Sequence, residues 1–341
     1  MHPAYFALVM ATGIVSLAAH LLGLHLVARA LLWLNPILYA GLWVALAVRV
    51  LRHRSAVIAD LLHHGRSVGF FTIVAATSVL GSQWLIIAGA AKLALALWIA
   101  AIGLWATLTY GLLTLLTVKP EKPPLAEGIN GGWLVMVVAA QAVAVLGAQL
   151  APELSWRAEA LFFCTVLWLG GAMLYLWIIS LIFYRYTFFV MSPSDLAPPY
   201  WINMGAAAIT TLAGTALVAA APHSPVLLSL LPFVRGFTLL WWATATWWIP
   251  MLLVLGCWRH LYRRFPFRYD PLYWGAVFPL GMYTVCTVRL SQAIDAPFLV
   301  SIARVFVYVA LVAWGIVAIA MMANLLGQRS SSSAASHPDQ A

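Results

Sequence analysis

The chain has 341 residues, of which 64% are hydrophobic and 8% charged, and it carries a net charge of +9. Soluble globular domains average about 25% charged residues, so this composition excludes an ordinary soluble domain. In lipid, backbone groups must be satisfied within the spanning structure, and the apolar runs here are too long and continuous for barrel strands. The predicted class is therefore an all-α polytopic membrane protein.

The apolar runs predict ten transmembrane helices, because about 20 apolar residues cross the hydrocarbon core. They lie near residues 4–24, 31–51, 69–89, 94–117, 131–150, 158–183, 200–220, 235–258, 272–293 and 301–326. The ten spans form five hairpins, and an aromatic residue opens each one: Phe6, Phe71, Trp133, Trp201 and Trp274. Five copies of one hairpin predict a quasi-fivefold arrangement around a central pore. We expect a transmembrane domain over 1–326 and a disordered, Ser-rich cytoplasmic tail over 327–341.

Basic residues predict the orientation of the chain. Of its 18 Lys and Arg residues, two thirds follow even-numbered spans, and the positive-inside rule makes that side cytoplasmic. Both termini are then cytoplasmic, in a multi-pass protein of the inner (plasma) membrane whose first span is a retained helix. The basic residues are dispersed among short loops, which argues against a nucleic-acid partner and leaves membrane lipid as their surroundings.

Small and weakly polar residues make the odd-numbered spans the candidates for an inner wall, although close helix packing alone also enriches such residues. When the copies are aligned on their opening aromatics, the fourth following residues are Met10, Ala75, Val137, Gly205 and Phe278. Gln141, four residues after Val137, is either a polar wall residue or an interhelical hydrogen-bond partner.

Phe278 is the single aromatic residue at this aligned position, and Pro279 after it predicts a helix kink. A bulky side chain beside a kink can close a pore as a hydrophobic constriction, which makes Phe278 a candidate gate. The alternative is that Phe278 simply packs within the bundle.

Arg289 follows Phe278 by about three helical turns, so Met282 and Arg289 are predicted on the same face as Phe278. A cation within a span is costly and usually faces a cavity or a partner. Arg289 is therefore either an anion-attracting pore residue or a snorkelling, lipid-anchoring or Asp295-paired side chain.

A lone cation separates the two spans of each hairpin. These five residues either anchor the outer ends of the helices at the interface or give an outer vestibule positive potential. They are Arg29, Lys92, Arg157, Arg235 and Arg304.

Other chemistries find little support in the sequence. The three cysteines lie singly in apolar spans, and the His63-His64 pair beside Arg66 is typical of a solvated loop rather than a metal site. Haem ligation needs facing histidines within spans, and only His20 is clearly within one. We therefore expect no metal, no cofactor and no enzyme activity; a membrane oxidoreductase is a distant alternative, and a receptor without flux is a third.

Several segments resemble the tellurite-resistance/dicarboxylate transporter family. They are the runs 5–16 (YFALVMATGIVS), 69–72 (GFFT), 131–134 (GGWL), 201–206 (WINMGA) and 274–281 (WGAVFPLG). The family includes the TehA tellurite-resistance proteins, yeast-type malate permeases and plant slow anion channels. The resemblance implies ten helices around a central pore, usually a homotrimer with one pore per subunit, and an occluding phenylalanine at Phe278. Arg289 and the run 278–284 look closer to the malate/C4-dicarboxylate branch.

The predicted function is transport of small anions through a central pore, with a C4-dicarboxylate such as malate or a tellurite-type oxyanion as cargo. A non-selective channel for nitrate, chloride or sulfite is the alternative. Acidic residues are too few and too peripheral to form a cation-selective ring.

Overall fold

A computed structural model describes residues 2–267 and 269–335. It confirms the all-α class. Ten long helices follow one another in the chain: α1 (Ala7–Leu21), α2 (His25–Arg52), α3 (Phe71–Ala88), α4 (Ala91–Val118), α5 (Val135–Leu150), α6 (Arg157–Phe188), α7 (Ile202–Ala220), α8 (Pro225–Cys257), α9 (Trp274–Ala293) and α10 (Leu299–Ala335). Short helices lie at Arg54–Leu62, His64–Ser67 and Leu125–Gly128, and a π-helical turn, Trp258–Tyr262, follows α8.

Each odd-numbered helix is preceded by a 3₁₀ turn. These turns are Pro3–Phe6, Val68–Phe70, Gly131–Leu134, Pro198–Trp201 and Pro271–Tyr273. Two further 3₁₀ turns, Ala151–Glu153 and Ala221–His223, follow α5 and α7. The five odd helices therefore start in the same way, on the face of the bundle that carries the N-terminus. We call it the N-terminal face, and the other the opposite face.

The predicted ends differ from the observed ones mainly in the even-numbered helices. α8 starts at Pro225, so Arg235 lies inside this helix and not at its start. α10 continues past Gly327 to Ala335, into the segment expected to be a disordered tail. Residues 336–341 of that tail lie outside the described residues.

Within the described part of the chain, nine helices are long and apolar enough to cross a membrane. The span predicted at 272–293 is not among them, although it forms the continuous helix α9. α9 carries Arg289 and several hydroxyl side chains, which lower its hydropathy. It packs against α1, α7 and α10, so most of its surface meets protein and need not be apolar.

Burial separates the odd helices from the even ones. The apolar core of the span containing α5 is 94% buried, whereas that of the span containing α10 is 11% buried, and the other spans divide in the same way. The odd-numbered spans are thus the buried ones, as predicted, and the even-numbered spans lie on the outside of the bundle; their contact with lipid stays a prediction.

The inner helices contact one another in a closed cycle. α1 packs on α3, α3 on α5, α5 on α7, α7 on α9, and α9 returns to α1. Each outer helix packs on the inner helix that precedes it in sequence. The contacts thus form a cycle of five hairpins, and symmetry of these hairpins about a pore axis stays a prediction.

Hydrogen bonds tie each hairpin to the next one. An aromatic side chain of every outer helix bonds to the inner helix of the following hairpin, and the fifth returns to the first. The pairs are Tyr39 with Thr77 (2.8 Å), Trp98 with the Val143 carbonyl (2.9 Å), Trp168 with the Thr210 carbonyl (2.9 Å), Trp242 with Thr287 (2.9 Å) and Trp314 with Thr12 (3.0 Å).

Replacing Trp314 by Phe should lower the thermal stability of the purified protein, because it removes the hydrogen bond that closes the cycle. Hydrogen bonds between membrane helices contribute about 0.6 kcal/mol on average and up to about 1.7 kcal/mol. A double-mutant cycle of Trp314→Phe with Thr12→Val, read by thermal unfolding in detergent, measures the pair. Trp247→Phe, at a 59% exposed position, is the control for loss of an indole; purely additive effects in the cycle would contradict the assignment.

Candidate functional site

A cavity of about 260 Å³ opens at the N-terminal face. All five inner helices or their preceding turns contribute to it in two layers, each with one residue per hairpin. Layer 1 is Ala4, Gly69, Gly132, Pro199 and Leu272, and layer 2, one turn further in, is Ala7, Thr72, Val135, Ile202 and Gly275. The cavity therefore lies where the inner helices begin.

A second cavity, of about 20 Å³, is enclosed by the same five helices deeper in the bundle. Layer 4 is Ile14, Val79, Ala142, Ile209 and Met282, and layer 5 is Leu17, Ser82, Val145, Leu212 and Val285. Its volume is sufficient for about one water molecule.

A third cavity, of about 440 Å³, lies at the ends of the inner helices on the opposite face. It shares the wall residues Ile86, Gln149, Leu212 and Arg289 with the narrow cavity. Layer 6, drawn from the walls of both, is Leu21, Ile86, Gln149, Ala216 and Arg289. The two cavities are thus adjacent along one path.

A single layer separates the N-terminal cavity from this path. Helical spacing defines layer 3, since its residues follow layer 2 by three positions and precede layer 4 by four. Layer 3 is Met10, Ala75, Val138, Gly205 and Phe278. Phe278 is its largest member and is 1% exposed. Helical spacing puts it between Gly275, which lines the N-terminal cavity, and Met282, which lines the narrow one.

Layer 3 contains Val138 in place of the predicted Val137. The residue that aligns with Phe6, Phe71 and Trp274 is Leu134, which is fully buried like them. Trp133 is only partly buried, and its indole nitrogen donates to the Gly128 carbonyl at 2.8 Å in the preceding loop. Aligning on the aromatic residue shifted the third copy by one position, which places Val137 about 100° around α5 from the cavity-lining face.

Gln141 contacts the neighbouring outer helix. Its Nε2 donates to the Trp168 carbonyl of α6 at 3.0 Å, which is the interhelical alternative that the sequence left open. From α5, the narrow cavity is lined by Ala142, Val145 and Gln149. Gln149, with a buried Oε1 that has no hydrogen-bond partner, is a polar wall residue that the sequence analysis missed. It lies two helical turns after Gln141, and the correct register of the third hairpin would have found it.

Gly205 and Pro279 lie against each other across the α7–α9 contact. A Cβ atom on Gly205 would be 2.7 Å from Pro279 Cγ. The absence of a side chain at Gly205 therefore allows α7 to approach α9 next to Phe278. Pro279 lies within the continuous helix α9, and a kink there stays a prediction.

Arg289 and Arg235 line the cavity at the opposite face. Arg289 Nη1 donates to Gln292 Oε1 at 3.2 Å, so its hydrogen-bond partner is Gln292 and not Asp295. Among the described residues, the wall of this cavity includes no acidic side chain. The other predicted vestibule cations, Arg29, Lys92, Arg157 and Arg304, are exposed in the first turns of their outer helices.

The N-terminal cavity has polar walls that the sequence analysis did not single out. Arg185, Tyr200, Asp195, Asn130 and His2 all line it. Burial and the charge of Arg66 hold the pKa of His2 below its usual range, so this imidazole is neutral at pH 7. Arg185 is one of the basic residues after even-numbered spans, and its position at the end of span six already fits the positive-inside rule.

Histidine, cysteine and acidic side chains do not gather in groups of three or more that could hold a metal ion, within the part of the chain that the structure describes. His63 and His64 line a surface cavity with Lys119 and Lys122. The candidate functional site is the row of three cavities along the five inner helices, together with the charged residues in their walls.

A family model described as SLAC1, voltage-dependent anion channel, matches residues 1–322. The chain belongs to this family. An uncharacterized membrane protein of Mycobacterium tuberculosis is 39% identical over 164 residues, which cover 48% of this chain and 83% of that protein. An uncharacterized transporter of Methanocaldococcus jannaschii is 26% identical over 289 residues, covering 82% of this chain and 81% of that protein.

The match confirms the family predicted from the sequence motifs and supports anion transport at the level of the voltage-dependent anion channel family. The family and the names of the relatives indicate transporters or channels rather than enzymes. They also agree with a multi-pass membrane protein.

Replacing Gly205 by Ala should destabilise the protein, because the added methyl group would overlap Pro279. Overpacking of a tight contact costs about 1–3 kcal/mol. We expect a lower unfolding temperature in detergent for Gly205→Ala. The matched control is Gly103→Ala in α4, where an added Cβ meets nothing within 4 Å; an equal response of the two variants would show that the α7–α9 contact is not tight.

Proposed function

We propose that the protein transports small anions along the axis of the five inner helices and that Phe278 is the gate. The supporting observation is that layer 3, the single layer between the N-terminal cavity and the path to the opposite face, contains one large buried side chain. Its other members are Met10, Ala75, Val138 and Gly205, which are smaller or more flexible. Displacement of one aromatic side chain would join the cavities.

The charges on the path favour anions over cations. Arg289 is the charged member of the layers, and Arg235 adds a second positive charge to the cavity at the opposite face. A cavity lined by charges of one sign raises the local concentration of the opposite ion. We infer that Arg289, and not the exposed Arg29, Lys92, Arg157 and Arg304, supplies the anion preference, while these four cations anchor the helix ends.

The family and the charged path support a C4-dicarboxylate such as malate, or a tellurite-type oxyanion, as cargo. A non-selective inorganic anion channel is the alternative, and flux of malate measured against nitrate and chloride separates the two. The N-terminal face is cytoplasmic in this proposal, in a plasma-membrane homotrimer with one path per subunit.

Phe278→Ala should raise anion flux in proteoliposomes at least several-fold, because it removes the side chain that fills layer 3. The measurement is anion-dependent flux of malate, nitrate and chloride. Phe162→Ala is the control, since Phe162 is 60% exposed on the outer helix α6. Unchanged flux from a folded Phe278→Ala protein would contradict the gate.

Arg289→Gln, made in the Phe278→Ala protein, should reduce the preference for anions over cations. The reason is that Arg289 lines both the narrow cavity and the cavity at the opposite face, so the substitution removes a positive charge from both. Reversal potentials in a salt gradient measure this preference. Arg304→Gln removes the same charge from an exposed position and should leave the preference unchanged; a similar loss in both variants would count against a role for Arg289.

A further inference from the structure

The N-terminal cavity contains a buried guanidinium group that has no role in the function proposed so far. Arg185, near the end of the outer helix α6, is 8% exposed and reaches the cavity wall. A buried cation is stable only if its donors are paired. How its nitrogen atoms are paired therefore indicates what this residue can bind.

One nitrogen of Arg185 is fully engaged and another is not. Nη1 donates to the Ile129 carbonyl and to the Tyr200 hydroxyl, both at 2.7 Å. Nη2 lies 3.7 Å from Asp195 Oδ1, which is an ion pair but is too long for a hydrogen bond. The guanidinium is thus held in place by neutral partners, while one edge faces an incomplete pair.

Asp195 is held by its own loop. Its Oδ2 accepts hydrogen bonds from the Ser192 amide at 2.8 Å and the Ser192 hydroxyl at 2.7 Å. The next residue, Leu196, is fixed by its carbonyl, which accepts a bond from Arg259 Nη1. Burial alone would raise the pKa of Asp195, but the Ser192 hydrogen bonds and the Arg185 charge bring it below its usual range. The carboxylate is therefore ionised, and its turn holds it short of Arg185.

Two further titratable residues line the cavity, His2 and Glu127. His2 is neutral for the reason given above. Glu127 is exposed, and it also lines the surface cavity that contains Lys119 and Lys122. Arg185 is therefore the positive charge that an anion in this cavity would meet, and Asp195 is the acidic residue paired with it that the anion would displace.

We propose that Arg185 and Tyr200 form an anion-binding site in the N-terminal cavity, for a carboxylate or a planar oxyanion, and that Asp195 is a built-in competitor for it. A free carboxylate could bond to the guanidinium edge at 2.7–2.9 Å, which Asp195 does not reach. The site rests on the proposed function, because it would hold the transported anion on the N-terminal side of Phe278. Anions then meet positive charge on each side of the gate, and the charge at the N-terminal face is weakened by Asp195.

The test is an anion titration of the purified full-length protein, read as the rise in unfolding temperature at constant ionic strength. Sodium malate and sodium nitrate are the probes, and each variant is also made with Arg289→Gln and Arg235→Gln, which remove the two positive charges of the cavity at the opposite face. Asp195→Asn should lower the half-saturating concentration about tenfold, as expected for loss of one competing charge. Arg185→Lys should raise it by a similar factor, because an ammonium group lacks the planar fork.

Glu121→Gln is the matched control, since it removes one negative charge from an exposed loop that lies outside this cavity. An unchanged or higher half-saturating concentration in Asp195→Asn would overturn the proposal, whether or not Arg185→Lys folds. An equal decrease in Glu121→Gln would also overturn it. The titration measures binding and not flux. A Phe278→Ala protein with unchanged flux would therefore contradict the gate without deciding whether Arg185 binds anions.

Discussion

Close approach of neighbouring inner helices is the constraint on which the rest of the structure depends. Four of the five helix contacts in the cycle include a glycine at which an added Cβ would come within 3 Å of the neighbour, and between the third and fourth hairpins such a glycine lies in the turns that precede α5 and α7. The pairs are Gly13 with Val79, Gly81 with Leu146, Gly131 with Pro199, Gly205 with Pro279 and Gly281 with Ile14. In lipid, helices gain no hydrophobic free energy by associating, so such packing and the aromatic hydrogen bonds between hairpins must hold the cycle together.

This packing explains how single residues can set the properties of a path built from five similar hairpins. Glycine at the contacts brings the inner helices close enough for single side chains to fill the axis, so each layer is controlled by its largest or most polar member. Layer 3 differs from its neighbours through Phe278, and layer 6 differs through Arg289 and Gln149. A change of one residue in one hairpin therefore acts on the whole path, whereas the same change on an outer helix would meet lipid.

The sequence predicts the number of helices and their pairing, because long apolar runs mark segments that cross lipid. It also predicts the inner position of the odd spans, because small residues are enriched where helices pack closely. The register of the third hairpin did not follow, since Trp133 resembles the other opening aromatics but bonds to a loop carbonyl, and Leu134 takes the buried position. Arg185 was missed for another reason. An arginine at the end of a span satisfies the positive-inside rule, and only the folded chain brings it to Tyr200 and Asp195.

The narrow part of the axial path runs from layer 3 to layer 5. The N-terminal cavity reaches layer 2, and the narrow cavity between layers 4 and 5 has room for about one water molecule beside the open space at Arg289. Hydration can therefore approach Phe278 within one helical turn on each side. An anion must therefore lose most of its hydration between layers 3 and 5, and positive charges lie at both ends of this stretch, Arg185 on the N-terminal side and Arg289 at layer 6. Movement of Phe278 would remove the largest side chain of layer 3, and the small cavity beyond it must widen as well before an anion larger than water can pass.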